Sequence, residues 1–245
     1  MERKLNEEIS TDCVIFGFDF ERLNVLLVDR ELIINGKTYF NDLTLTGNHI
    51  YEDENLDDAA QRILYDLIGQ NDIYLEQFHT FGDTQRTCKP NDVLWIEHSG
   101  RNPLKRVISV GYVALLTKRN VVLEWKGRNV AWYPVKEIKN LAFDHMNIIK
   151  EALKYIRHKL EVEPSIGFEL LPEKFTLSQL QTMFEVVFDL KLDKRNFRRK
   201  ALKMKYIVSL NEKQTGVSNK PAQLYTFDRE IYKNNKTLEG VGFLF

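Results

Sequence analysis

The stretch Lys191-Leu-Asp-Lys-Arg-Asn-Phe-Arg-Arg-Lys-Ala-Leu-Lys-Met-Lys205 holds eight basic residues against one acid, Asp193. At 100° per residue, Phe197, Ala201 and Met204 form one apolar stripe, with Arg195, Arg199 and Lys203 opposite and Asn196 beside them. The spacing predicts a helix from Lys194 to about Lys205, capped by Asp193. Upstream, Thr176-Leu-Ser-Gln179 is a capping-box sequence opening another helix, whose apolar side is Leu177, Leu180, Met183, Phe184, Val187 and Phe188. Downstream come an apolar run Tyr206–Leu210, a polar turn over 211–220 and a second run Gln223–Phe227.

Helix, short turn, basic helix and two-stranded wing is the order of a winged helix-turn-helix. A helix sized for the DNA major groove needs an apolar side toward its domain and Arg or Asn toward base edges, because Arg pairs bidentately with guanine and Asn with adenine. The candidate DNA-contacting set is Thr176 and Gln179 in the first helix, with Lys194, Arg195, Asn196, Arg198, Arg199, Lys200 and Lys203 in and beyond the second. The wing adds Lys213, Ser218 and Lys220. Lys194, Arg198, Lys200 and Lys205 flank the base-facing side, where phosphates would lie.

The whole chain of 245 residues has a net charge of zero, yet residues 1–167 carry 21 Lys+Arg against 26 Asp+Glu and residues 168–245 carry 14 against 9. An acidic body joined to a basic segment suggests that the segment meets a polyanion. The composition, 43% hydrophobic with 12 Gly and 6 Pro, excludes a disordered or fibrous chain. Two cysteines, Cys13 and Cys88, exclude a disulfide scaffold. A charged start without an apolar core, and the lack of a membrane-length apolar run, make a cytoplasmic, membrane-free protein the expectation. The five His and two Cys show no metal-ligand spacing, so no metal or cofactor is expected, and His145 and His158 call for no special role.

The first half reads as strands: Asp12–Asp19, Asn24–Asp29, Tyr39–Thr46, Tyr74–Gly82, Val107–Leu116, Val121–Leu123 and Val130–Pro134. Between Asn55 and Gly69 the period becomes helical, with Asn55 as N-cap and Gly69 as the stop. A second helix is expected from Asp144 to about Lys159. Strands and helices without strict alternation argue for an α+β chain. Pro164-Ser-Ile-Gly167 coincides with the charge step. The expected division is residues 1–160 and residues 161–245.

These residues carry a resemblance. Phe168-Glu-Leu-Leu-Pro-Glu-Lys-Phe-Thr-Leu-Ser-Gln-Leu-Gln181, Leu192-Asp-Lys-Arg-Asn-Phe-Arg-Arg-Lys200 and Lys220-Pro-Ala-Gln-Leu-Tyr-Thr-Phe227 resemble the C-terminal winged helix of Nudix-related transcriptional regulators. Thr80-Phe-Gly-Asp-Thr-Gln-Arg86 and Ile108-Ser-Val-Gly-Tyr-Val-Ala-Leu115 resemble that family's strand motifs. The resemblance implies a Nudix-like α/β/α sandwich that senses an effector, followed by the winged helix, acting as a homodimer on double-stranded operator DNA. Among its branches, the chain looks most like the L-arabinose-responsive regulators of Bacteroides-type bacteria, which implies a repressor of sugar-utilisation genes (carbohydrate metabolism) relieved by L-arabinose. ADP-ribose is the other effector class that the family implies.

A Nudix hydrolase places glutamates at i, i+3 and i+4 of one helix face to bind divalent ions. Gly47 and Arg62 align with that box, and its three carboxylate positions fall on Ile63, Asp66 and Leu67. Two of three are aliphatic, so a sensor is expected rather than an enzyme, with a weak pyrophosphohydrolase using Asp66 as the alternative. Candidate effector contacts are Asp83 and Arg86 in the strand motif, and Trp95, Glu97 and His98 in an extra segment between Cys88 and Arg106. A sugar would need a few such polar groups plus an aromatic face. Trp132 reads as core.

Overall fold

The computed structural model describes residues 3–69, 73–118, 124–125, 127–216 and 220–235; the strand expected at Val121–Leu123 lies outside them, as does Ser218. The chain divides into two compact units, one made of residues 1–17, 24–115 and 119–155, the other of 18–23, 116–118 and 156–245.

The first unit is built on an eight-stranded sheet. Its strands are β1 (Leu5–Phe18), β2 (Leu23–Ile34), β3 (Lys37–Thr44), β4 (Thr46–Tyr51), β5 (Tyr74–Phe81), β6 (Ile108–Thr117), β7 (Glu124–Trp125) and β8 (Arg128–Pro134). They run in the order β5-β6-β1-β2-β8-β7, with β3 on β2 and β4 on β1. Cys13, Val14, Ile15 and Phe16 of β1 and Val25 to Val28 of β2 are fully buried, so neither face of these central strands meets water.

Helix α1 (Leu56–Ile68) starts and stops where expected. The Asn55 side chain accepts from Asp58 N, and Gly69 takes φ 72°, a left-handed cap that favours glycine. Ile63 and Leu67 are fully buried, whereas Asp66 is exposed. The two aliphatic residues at the box positions therefore seal the helix against the core.

The extra segment after Cys88 is not a plain loop. It forms α2 (Pro90–His98), with proline in the first turn, where a missing N–H costs nothing. Helix α3 (His145–Val162) closes the sequence of this half, and its residues from Ile156 onward count with the second unit.

The second unit holds α4 (Leu177–Phe188), α5 (Lys194–Ala201), the antiparallel hairpin β9 (Ile207–Lys213) with β10 (Gln223–Phe227), and α6 (Arg229–Asn235). Phe175 and Tyr225 exchange backbone hydrogen bonds and add a third extended segment to the hairpin. The core is aromatic: Phe168 stacks on Phe227 at 4.2 Å, and Phe184 packs against Phe197 at 6.3 Å. The basic helix is shorter than its periodicity suggests. After Ala201 the chain tightens through Lys203 N–H to Lys200 O and Met204 N–H to Ala201 O, because Met204, Tyr206 and Ile207 must all be buried as the chain enters β9.

Candidate functional site

Two places concentrate polar chemistry, one in each unit. In the second unit, the turn from α4 to α5 is fixed by two side chains. Glu185 Oε1 accepts from Leu192 N–H at 3.0 Å and from Gln181 Nε2 at 2.8 Å, while Gln181 also donates to Leu192 O at 3.1 Å. Asp189 takes φ 56° at the end of α4, a left-handed position that Asp tolerates better than most residues. Asp193 then caps α5 by accepting from Asn196 N–H at 2.8 Å.

With Phe197 and Ala201 buried, Lys194, Arg195, Asn196, Arg198 and Arg199 are exposed, Lys200 is half-buried and Lys203 is exposed just past the helix end. Lys213 and Lys220 are exposed on the hairpin side. Among the described residues, none of these Lys and Arg side chains has a carboxylate within 4.0 Å. Arg199 Nη2 donates to Asn196 Oδ1 at 3.0 Å, which orients the amide. Thr176 is buried and Gln179 half-buried, and the two close on each other as a complete capping box, so their side chains serve the start of α4.

In the first unit, a cavity of about 250 Å³ opens between β1, β4, the 86–87 turn, α2, the 101–107 segment and the start of α3. Four arginines line it, Arg30, Arg86, Arg101 and Arg128, and the first two are the centres of ion-pair networks. Arg30, 1% exposed, pairs with Asp42 through Nε and Nη2 at 2.7 Å and with Asp92 through Nη1 at 2.8 Å. The Asp92 approach is a charge contact without hydrogen-bond alignment. Arg30 also faces the rings of Phe143 at 4.7 Å, Phe40 at 4.9 Å and Trp95 at 5.6 Å. Phe143 takes φ 50°, held there by its N–H to Asp92 Oδ2 at 3.0 Å and by Lys89 Nζ on its carbonyl.

Arg86 pairs with Asp144 at 2.9 Å and with Asp12 at 3.3 Å. Asp12 also accepts from the Ser109 hydroxyl. Burial alone would raise the Asp12 pKa, but its neighbours, Arg86 among them, and the Ser109 hydrogen bond outweigh it and hold the carboxylate below its usual range. Burial lowers the pKa of His145, and the neighbouring arginines add to it against the pull of Asp12 and Asp144. The geometry agrees with a neutral ring: Leu45 N–H donates to Nδ1 at 3.0 Å, so the proton sits on Nε2, which faces Asp12 Oδ1 at 3.6 Å. Gly47 makes room for this, since a Cβ there would overlap Asp12 Oδ1.

Of the sequence-derived effector candidates, Arg86 and Trp95 line the cavity. Asp83 is exposed and accepts from Gln85 N–H in a turn, and Glu97 and His98 are exposed on α2, whose inner side presents Asp92, Trp95 and Ile96. Asp12, Arg30, Asp144 and His145 were not singled out from sequence. Their signal was a charged residue beside apolar runs, Asp12 ahead of Cys13-Val-Ile-Phe16 and Arg30 after Val25-Leu-Leu-Val28. His145, far from being unremarkable, is buried in the network, whereas His158 is exposed.

Comparison with known proteins bears on the second unit and on the fold of the first. Residues 167–227 match the family described as the NrtR DNA-binding winged helix domain. Shewanella oneidensis NrtR, solved in complex with a 27mer DNA, is 26% identical, with 92% of this chain and 95% of that one covered at a TM-score of 0.71. The chain is similar to NrtR along most of its length. A curated relative, the ADPR-responsive transcriptional repressor NtrR of Acinetobacter baylyi, is 25% identical over 93% of this chain and 84% of its own length. A MutT/nudix family protein from Enterococcus faecalis, 20% identical over 93% of this chain and 89% of its own, shares the fold at a TM-score of 0.62. The chain is thus a Nudix-like α/β domain followed by a C-terminal winged helix. No helix among its described residues is long and apolar enough to cross a membrane.

Proposed function

We propose that this chain is a cytoplasmic DNA-binding transcriptional repressor of the NrtR type, acting as a homodimer, whose Nudix-like domain senses a small effector. The observation that carries the reading is the exposed, carboxylate-free basic face of α5, set behind a stapled turn and followed by a hairpin. Buried Ile63 and Leu67 leave Asp66 alone of the three box positions, which supports a sensor over a hydrolase. Likeness to the Acinetobacter baylyi repressor makes ADP-ribose the first effector to test.

A second reading, L-arabinose, has one observation in its favour. The cavity of about 250 Å³ is below the range of about 300–1,000 Å³ that encloses drug-sized ligands, and it is walled by Ser10, Asp12, Thr44 and Asn48, which suit hydroxyls. The test is fluorescence anisotropy on duplex DNA from the gene's own upstream region at fixed salt, since phosphate contacts make affinity salt-dependent. Tight binding released by ADP-ribose supports the first effector, and release by L-arabinose alone supports the second. Binding no tighter than to unrelated duplex would overturn the regulator.

A further inference from the structure

The cations of the cavity wall are not treated alike. Arg30 has two carboxylates, Asp42 and Asp92, and Arg86 has two, Asp12 and Asp144. Arg101 lines the same cavity, is half-buried, and has no carboxylate within 4.0 Å among the described residues. Its side chain donates to Ser99 Oγ at 2.8 Å. The acid that faces it, Glu7, is engaged by Lys105 at 2.7 Å. His49 is also near Arg101, and its Nδ1 lies 2.8 Å from Asn6 O and therefore carries the proton, so the ring brings no negative charge.

A guanidinium withdrawn from water without a counter-charge is costly, and burial lowers the pKa of Arg101 with only Glu7, itself held by Lys105, opposing. A wall that neutralises Arg30 and Arg86 twice over and leaves Arg101 uncompensated is shaped for a ligand that brings its own charge. Ser10, Asp12, Thr44 and Asn48 line the same cavity and bring hydroxyl, carboxylate and amide groups of the kind a polyol meets.

We infer that Arg101 holds the anionic group of the effector, and that the effector presents to this cavity a sugar-sized polyol carrying one phosphate or carboxylate. The inference rests on reading the cavity as the effector site. It deepens that reading by excluding a neutral pentose as the full ligand. An anionic partner makes charge-assisted hydrogen bonds to the planar guanidinium fork, which an ammonium reproduces only in part.

The experiment is titration calorimetry on the full chain without DNA, comparing wild type, Arg101→Gln and Arg101→Lys. The probes are ADP-ribose, ribose 5-phosphate, L-arabinonate, L-arabinose and inorganic phosphate. At least one of the first three is expected to bind, weakening tenfold or more in Arg101→Gln, with Arg101→Lys between. The probe that binds tells phosphate from carboxylate. Binding of L-arabinose with equal affinity in wild type and Arg101→Gln overturns the inference, as does failure of all three anionic sugars. Inorganic phosphate binding as tightly as the sugar probes overturns the polyol half. Thermal melts guard against misfolding, and retained affinity in a folded Arg101→Lys alone separates lost charge from lost structure. The regulator reading fails separately, by loss of specific DNA binding, whatever these titrations give.

Discussion

The cavity of the first unit and the α5 surface of the second are both rich in arginine and use it in opposite ways. Arg30 and Arg86 are buried, each clasped by two carboxylates, and Arg30 is boxed by three aromatic rings. Arg195, Arg198 and Arg199 are exposed, and among the described residues no acid lies within pairing distance. A matched, buried charge fixes the positions of its neighbours. An unmatched, exposed one is available to a polyanion, whose condensed counterions it can displace. Residue type is the same, and what differs is who supplies the opposite charge.

The largest expected effect tests the buried half. Arg30→Ala strands Asp42 and Asp92 and empties the aromatic box, so chemical denaturation should show a loss of about 3–5 kcal/mol. A loss below about 1 kcal/mol would mean that the pairs are not what holds α2 to β2.

Next comes the exposed half. Arg195→Ala and Arg199→Ala should each cost about 1–3 kcal/mol of operator affinity and relax specificity at one base pair. Their folding stability should stay within about 0.5 kcal/mol of wild type. Unchanged operator binding in both would move the recognition surface off α5. Because Arg199 orients Asn196, a double-mutant cycle between them should be non-additive in DNA affinity.

Thr176→Ala sits between the two regimes. If the hydroxyl serves the capping box, the variant loses about 1 kcal/mol of stability with the salt slope of DNA binding unchanged. If Thr176 meets a phosphate instead, the salt slope falls while stability holds.

The smallest effect is pH-dependent. His145 has a lowered pKa in the folded chain, so below its ordinary 6.5 the unfolded chain binds a proton that the folded chain refuses. Stability therefore rises with pH through that window and is lost as pH falls below it. His49 is lowered too, and adds in the same direction. Denaturation midpoints between pH 5 and pH 7.5 should flatten in His145→Gln, and an unaltered slope would place the proton uptake elsewhere.

The second unit was largely legible in the sequence because its signals are local. A capping box, an Asp cap and a three-residue apolar stripe each lie within one or two helical turns of what they control. The staple of the turn by Gln181 and Glu185 was not read, since both residues look like ordinary polar positions on a helix. The cavity was harder to foresee. Asp12, Arg30, Arg86, Asp144 and His145 come from separate segments and meet only after the sheet order is set. Membership of the extra segment points to Glu97 and His98, yet α2 turns them outward and brings in Asp92, which pairs with Arg30 across 62 positions of sequence. Arg30 and Asp12 were visible as charges beside apolar runs. Their partners were not.

Gly47 sets a limit on how the cavity could be redesigned. Wall positions outside the buried ion-pair network, such as Asn48 or Asn102, carry no such constraint. Position 47 cannot be exchanged by itself, because the first carbon of any side chain would occupy the space of the Asp12 carboxylate. Displacing that carboxylate would release Arg86, Ser109 and His145 together. A library that varies the two positions jointly could find new solutions, whereas one that scans them singly would meet a dead end at residue 47.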